Sequence, residues 1–162
     1  DAVSPIVLQD PVHVRPEAGV PMPPRGEAMI GPKIPKPSPA DEKRAYEAMT
    51  FRDQNRCTRC LAYGVQRDHR QNRQSGNTVV SNLQGLCPAC HQWKTENPTA
   101  AILEGFAVPR WADWGFWPAW REDVRSWVLY FDAPDSQGRW WSEITESVAD
   151  MLMRGTALEE GT

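Results

Sequence analysis

Four cysteines stand in the middle of the chain as two C-x2-C pairs. Cys57 and Cys60 form the first pair, and Cys87 and Cys90 form the second, with 26 residues between the pairs. Four thiolates suit a tetrahedral structural Zn²⁺ ion, and the two-residue spacing lets each pair present both sulfurs to one ion. Two disulfides or four free thiols are the alternatives, but two C-x2-C pairs favour a zinc site over both.

A second group of residues could form a hydrolytic site beside the cysteines. Asp68 directly precedes His69, Asn82 lies 13 residues after His69, and His91 lies nine residues after Asn82. Asp68 and His91 offer an oxygen and a nitrogen to a divalent cation such as Mg²⁺, Mn²⁺, Ni²⁺ or Zn²⁺. His69 would point to the other side of an extended strand, where a neutral imidazole can accept a proton from water.

The charge of the chain is concentrated around these residues. The whole sequence carries a net charge of −3, but residues 51–94 hold seven Lys/Arg and two Asp/Glu, whereas residues 95–162 hold five and twelve. A polyanion such as DNA would be attracted to the middle and repelled by the last third. The alternative is an ordinary solvated face. Four basic residues flank the site and are the predicted DNA contacts: Arg67, Arg70, Arg73 and Lys94.

Short elements must position these side chains. Ser38 can cap a helix that begins at Pro39 and runs to about Asn55. Residues 65–68 are predicted to form a strand that leads into the Asp-His pair. A helix over residues 87–95 would carry Cys90 and His91 about 100° apart, so that His91 faces away from the zinc. Pro98 ends that helix, and residues 100–106 are predicted to add one short helical turn.

Three regions of different composition follow from the distribution of proline and tryptophan. Residues 1–37 hold most of the prolines and are predicted to form an irregular, extended arm in which His13 is solvated. Residues 38–98 form the predicted core, and residues 99–162 form an acidic, Trp-rich extension. That extension should contain a β-hairpin, from residues 126–131 and 138–144, and a terminal amphipathic helix. The predicted fold class is therefore α+β.

Tryptophans recur every third residue at positions 111, 114, 117 and 120. Packing of these rings on the chain's own zinc core is the favoured interpretation, because the surrounding charge is negative. Stacking on nucleobases and docking of another protein are the alternatives.

The cysteines and the Asp-His, Asn and His residues together resemble the zinc-clamped HNH endonucleases, in particular small ones encoded by phages of actinobacteria. The resemblance covers about residues 51–111. The motifs that carry it are Cys57-x2-Cys60, Asp68-His69, Ser81-Asn82-Leu83, Leu86-Cys87-x2-Cys90-His91 and Lys94. Arg70-Gln71 departs from the family, in which apolar residues commonly follow the Asp-His pair, so the strand is expected to be short and the loop through Gly76 exposed.

The resemblance implies a ββα-metal core and a role for each matched position. His69 would be the general base, and Asp68 and His91 would hold the catalytic cation. Asn82 would hydrogen-bond to the loop that carries His69 and orient the ring of His69. The expected reaction is metal-dependent hydrolysis of DNA phosphodiester bonds, by nicking or double-strand cutting, that leaves a 5′ phosphate and a 3′ hydroxyl. A zinc module that binds DNA or protein without hydrolysis, or an assembly factor, is the alternative.

The same resemblance suggests a phage-encoded protein in the bacterial cytoplasm, with a terminase or another packaging protein as a partner. No stretch of the sequence approaches the roughly 18 apolar residues of a membrane span, and no secretory signal opens the chain. The acidic extension could compete with DNA for the basic centre, which predicts faster cleavage after truncation near Thr99.

Overall fold

The structure, a computed structural model, describes residues 37–155. The predicted arm before Pro37, with His13, lies outside these residues. The described part has a mixed α+β fold, as predicted, with two small antiparallel sheets of order β1-β2 and β3-β4-β5. Its elements are α1 (Pro39–Asp53), β1 (Gln66–His69), a 3-10 turn (Val80–Asn82), β2 (Leu83–Leu86), α2 (Pro88–Glu96), α3 (Pro98–Leu103), β3 (Ala119–Arg121), β4 (Ser126–Tyr130), β5 (Trp141–Ile144) and α4 (Glu146–Arg154).

Helix α1 begins where the sequence predicts it. The Ser38 hydroxyl accepts a hydrogen bond from the Asp41 N–H at 3.1 Å, and the Asp41 carboxylate accepts one from the Ser38 N–H. These reciprocal bonds satisfy donors that the first helical turn leaves free. Gln54, with φ of 56°, ends the helix in the left-handed conformation.

The β1-β2 hairpin lies between α1 and α2. Asp68 pairs with Gln84 and His69 pairs with Leu83 across the two strands. Met49 of α1 packs with Leu83 on one side of the hairpin. Leu86 packs with the cysteines and Phe106 on the other. Because side chains alternate along a strand, residues 66 and 68 face α2, whereas residues 67 and 69 face α1.

The extension contains the predicted hairpin and terminal helix and differs from the prediction at two other elements. The hairpin of β4 and β5 is confirmed, and so is the terminal helix, with Thr145 as its cap. The sequence did not predict β3, which adds a third strand beside β4. Helix α3 also begins earlier than expected, because Pro98 ends α2 and occupies the first position of α3.

The tryptophans pack largely against the chain itself. Trp120 packs on the cluster of Leu86, Phe106 and the cysteines, which confirms the favoured interpretation for that ring. Trp117 is buried with Val108 and Met153 instead, in a separate cluster of the extension. Trp111 is 48% exposed, although its ring contacts Trp117 edge to face.

A buried ionic group joins the extension to α1. The Asp53 carboxylate accepts hydrogen bonds from Arg52, from the Gly85 N–H and from Arg121 of β3. Burial alone would raise the pKa of Asp53, but the two guanidinium groups, that of Arg52 above all, hold this pKa below its ordinary value. Asp53 is therefore ionised in the folded protein and connects α1, β2 and β3.

Candidate functional site

The four cysteines form one cluster at the junction of two segments. Cys57 and Cys60 lie in the loop after α1, whereas Cys87 is the cap of α2 and Cys90 lies in its first turn. Their four sulfurs lie within 4.8 Å of one another, and all four thiols are free. A Zn–S bond of ~2.3 Å places tetrahedral sulfurs about 3.8 Å apart, so the cluster fits a metal ion. The 3.5 Å between the Cys60 and Cys87 sulfurs is far too long for a disulfide.

Asp68 and His91 meet on the α2 side of β1. The Nε2 atom of His91 lies 3.5 Å from Oδ1 of Asp68, while Nδ1 of His91 lies 2.7 Å from Oε1 of Gln66. The side-chain amide oxygen of Gln66 can only accept, so Nδ1 of His91 carries a proton, and in the neutral imidazole Nε2 then keeps a lone pair. Oδ1 of Asp68 and Nε2 of His91 therefore lie at a separation that allows both atoms to bind one cation.

The second oxygen of Asp68 is already occupied. Oδ2 accepts hydrogen bonds from Gln84 Nε2 at 2.8 Å and from Lys94 Nζ at 2.7 Å. Lys94 also donates to the His69 carbonyl at 2.6 Å, which ties the backbone of β1 to α2. Burial lowers the pKa of Lys94, and the Asp68 carboxylate partly offsets that shift. These contacts fix the plane of the carboxylate and leave Oδ1 as the oxygen that can bind a cation.

His69 lies on the opposite side of the same strand. Its Nε2 atom is 2.9 Å from the hydroxyl of buried Thr78, and its ring meets Tyr46 edge to face. Burial lowers the pKa of His69 below its ordinary value; Arg73 lowers it further, and Asp68 acts in the opposite direction. The imidazole is therefore neutral at pH 7 and able to accept a proton.

Asn82 is buried and bonds to the loop that follows His69. Its Oδ1 accepts from the Gln71 N–H at 2.8 Å, and its Nδ2 donates to the carbonyls of Gln71 and Asn77. The Asn82 carbonyl also accepts the Arg70 N–H at 2.7 Å. All of these contacts fall on the backbone of the loop, so the predicted hydrogen bonds from Asn82 to this loop are present.

Two of the four predicted DNA contacts are not available at the surface. Arg70 is only 1% exposed and donates to the carbonyls of Ser81, Trp114 and Trp117, so the prediction that it contacts DNA is wrong. Arg70 is buried because these carbonyls, two of them in the extension, surround it; burial lowers its pKa to about 10. Lys94 is also buried, and its ammonium bonds to Asp68 instead of facing solvent.

The other two basic residues are exposed near His69. Arg67 lies over the Tyr46 ring at 4.6 Å, and Arg73 lies 3.3 Å from Glu42 on the surface. The loop from residue 72 to residue 75 is exposed as expected, although Gln71 at its start is buried. Both arginines can therefore reach a ligand that approaches β1 from its free edge.

A cavity of about 350 Å³ opens beside Asp68 and His91. Its exposed rim includes Asn72, Thr95 and Arg110. The Arg110 guanidinium has no ion-pair partner among the residues that the structure describes, and sequence reasoning missed it because it lies in the acidic third. His69 does not line this cavity; the structure brings Asp68, His91 and Lys94 together and leaves His69 across the strand.

Comparison with protein-family models, with curated proteins and with solved structures gives no match to this chain. Among the described helices, none has the length and apolar character needed to cross a membrane. The geometry of the two clusters is thus the basis for any assignment of function.

Proposed function

We propose that the protein is a metal-dependent endonuclease of the HNH type that hydrolyses DNA phosphodiester bonds. The observation that carries the proposal is the pair formed by Asp68 Oδ1 and His91 Nε2, 3.5 Å apart beside an open cavity. Asp68 is almost buried and its Oδ2 is occupied by Gln84 and Lys94, whereas Oδ1 faces Nε2 of His91, which keeps a lone pair in the neutral ring. A cation between the two atoms would remove the repulsion between their lone pairs.

Zn²⁺ is the proposed occupant of the four-cysteine cluster. The short segment between Cys57 and Cys90 can bury little apolar surface by itself, and zinc binding adds on the order of 10 kcal/mol of folding free energy to small modules. Because Cys87 and Cys90 lie at the start of α2, the ion would fix the direction of that helix. His91, the next residue, then takes its position beside Asp68.

In the proposed reaction His69 acts as the general base. In the tautomer that this reaction requires, Nε2–H donates to the Thr78 hydroxyl 2.9 Å away, and the Nδ1 lone pair accepts a proton from water as the water oxygen bonds to phosphorus. The bond between phosphorus and the 3′ oxygen breaks, which leaves a 5′ phosphate and, after protonation by solvent, a 3′ hydroxyl. A divalent cation held by Asp68 and His91 would stabilise the negative charge on the phosphate and on the leaving oxygen.

The free edge of β1 is where the DNA backbone would lie. Among the described strands β1 pairs only with β2, so Asp68 and His69 can approach one phosphate from opposite sides of this edge. Arg67 and Arg73 lie on the His69 side, and Arg110 lies on the cation side. Their charges supply affinity that does not depend on base sequence.

A plasmid-nicking assay tests the proposal. Supercoiled DNA is incubated with the zinc-loaded protein and Mg²⁺, Mn²⁺ or Ni²⁺, and with the variant His69→Ala. We expect relaxed or linear products only with added cation, and a loss of at least 100-fold in rate for His69→Ala, because general-base catalysis contributes about 10²–10⁴-fold.

Gln92→Ala is the matched control, because Gln92 is an exposed neighbour of His91 that bonds only to Glu96. The Gln92→Ala variant should cleave the plasmid at the same rate as the natural sequence. DNA binding without cleavage under every cation would contradict the proposal and indicate the non-catalytic zinc module. The phage origin and the link to a packaging terminase stay predictions.

A further inference from the structure

We propose that Gln66 is a positioning residue for the cation site, because it selects the ring tautomer of His91 that leaves Nε2 free to bind the cation. The proposal rests on the proposed function, since it assigns a role to a residue that only a working cation site needs. Gln66 lies outside the motifs that carry the family resemblance.

The contact itself is short and directional. Oε1 of Gln66 lies 2.7 Å from Nδ1 of His91, well within hydrogen-bond distance, whereas Nε2 of His91 lies 3.5 Å from Asp68 Oδ1, beyond it. The ring is therefore held at Nδ1, whereas Nε2 makes no hydrogen bond to Asp68.

The strand places Gln66 where this contact can form. Gln66 and Asp68 are two residues apart in β1, so their side chains leave the strand on the same side, towards α2. His91 lies in the first turns of α2, whose start is fixed by Cys87 and Cys90. Gln66 therefore contacts one edge of the imidazole and Asp68 faces the other.

Direct titration of Mn²⁺ into the zinc-loaded protein tests this role. Mn²⁺ prefers oxygen and imidazole ligands, so it is a suitable probe for this site and a poor one for the thiolates. We expect Gln66→Ala to raise the Kd for Mn²⁺ by about 10- to 100-fold, the range seen when the hydrogen-bond partner of a ligating histidine is removed. Gln66→Glu keeps the acceptor and should bind Mn²⁺ at least as tightly as the natural sequence.

Nitrogen NMR of the cation-free protein supplies a second readout. The natural sequence should show His91 with the proton on Nδ1, and Gln66→Ala should shift the population towards the Nε2–H form. Gln92→Ala, the exposed glutamine on α2, should change neither measurement. Because Gln66 is exposed, both Gln66 variants are expected to fold, which thermal melting checks.

The outcomes separate this role from the proposed function. An unchanged Kd and an unchanged tautomer in Gln66→Ala would overturn the role of Gln66, even if His91→Ala abolished Mn²⁺ binding. Absence of Mn²⁺ binding by the natural sequence would overturn both proposals. Tight binding that depends on Gln66 but supports no plasmid cleavage would support the role of Gln66 and contradict the nuclease.

Discussion

At the residue scale, Asp68 divides its two oxygens between different partners. Oδ2 is held by Gln84 and Lys94, and Oδ1 faces His91. The sequence predicted that Asp68 and His91 lie together and that His69 lies on the other side of the strand, which is how these side chains are placed. It did not indicate the roles of Lys94 and Arg70, since a basic residue near a phosphate site and a buried structural cation look the same in a sequence.

Arg110 offers a test of the electrostatic part of the proposal. Its guanidinium is exposed at the rim of the cavity, so Arg110→Ala should weaken binding of a short DNA duplex equally for all base sequences. The plot of the logarithm of the association constant against the logarithm of the salt concentration has a negative slope. The magnitude of this slope should decrease by about one, as expected for the loss of one phosphate contact. Fluorescence anisotropy at several salt concentrations measures both quantities.

The matched control is Arg139→Ala, because Arg139 is exposed and pairs with Asp135 away from the site. Equal effects of the two substitutions would show that only the overall charge matters. In that case Arg110 would have no local role.

At the element scale, local signals were sufficient for α1, for the β4-β5 hairpin and for α4. Each has a cap, a proline or an alternating pattern within its own residues. Strand β3 has only three residues; it pairs with β4, and its Arg121 also bonds to Asp53, which lies 68 positions earlier in the chain. A contact between such distant residues leaves no trace in a local pattern, so β3 could not be predicted.

The Asp53 carboxylate should make stability depend on pH. Its pKa in the folded protein lies below the ordinary value of about 3.9, so its ion pairs stabilise the fold above that pH and lose this effect as the pH falls below it. At pH 7, Asp53→Asn is expected to lower the free energy of unfolding by about 3–5 kcal/mol, because two buried arginines lose their partner.

Urea unfolding followed by tryptophan fluorescence between pH 7 and pH 3 measures this difference. The difference in the free energy of unfolding between the natural sequence and Asp53→Asn should decrease as the pH falls below about 4. Asp150→Asn, at an exposed pair with Arg154, controls for the loss of a surface charge. A gap that stays constant across this pH range would contradict the assignment.

At the scale of the whole molecule, the extension shares its interior with the predicted core. Arg70 and Gln71, which directly follow His69, donate to carbonyls between residues 109 and 117. Phe106 and Trp120 pack on the cysteine cluster. The composition of the chain suggested a boundary near residue 98, but these hydrogen bonds and contacts cross it.

Truncation after residue 98 should therefore abolish activity, in contrast to the faster cleavage that the charge distribution predicts. The fragment would lose the carbonyl partners of Arg70 in the extension, and it would lose Phe106 and Trp120 from the apolar cluster around the cysteines. We expect zinc-loaded residues 37–98 to show no cooperative thermal transition by circular dichroism. The full chain, treated in the same way, is the control.

A folded fragment that cleaves faster than the full chain would support competition by the acidic extension instead. A folded but inactive fragment would indicate that the extension positions the catalytic loop without stabilising the core.

The alternation of β1 has a consequence for how this site can change by insertion or deletion. In the proposed function, residues 66 and 68 act at the cation site on one side of the strand, and residue 69 acts as the base on the other. One residue inserted within the strand ahead of Asp68, with the pairing of Gln66 to Leu86 kept, would exchange the sides that Asp68 and His69 face. Within β1, the number of residues ahead of the Asp-His pair can thus change only in twos, whereas the loop before the strand has no such constraint.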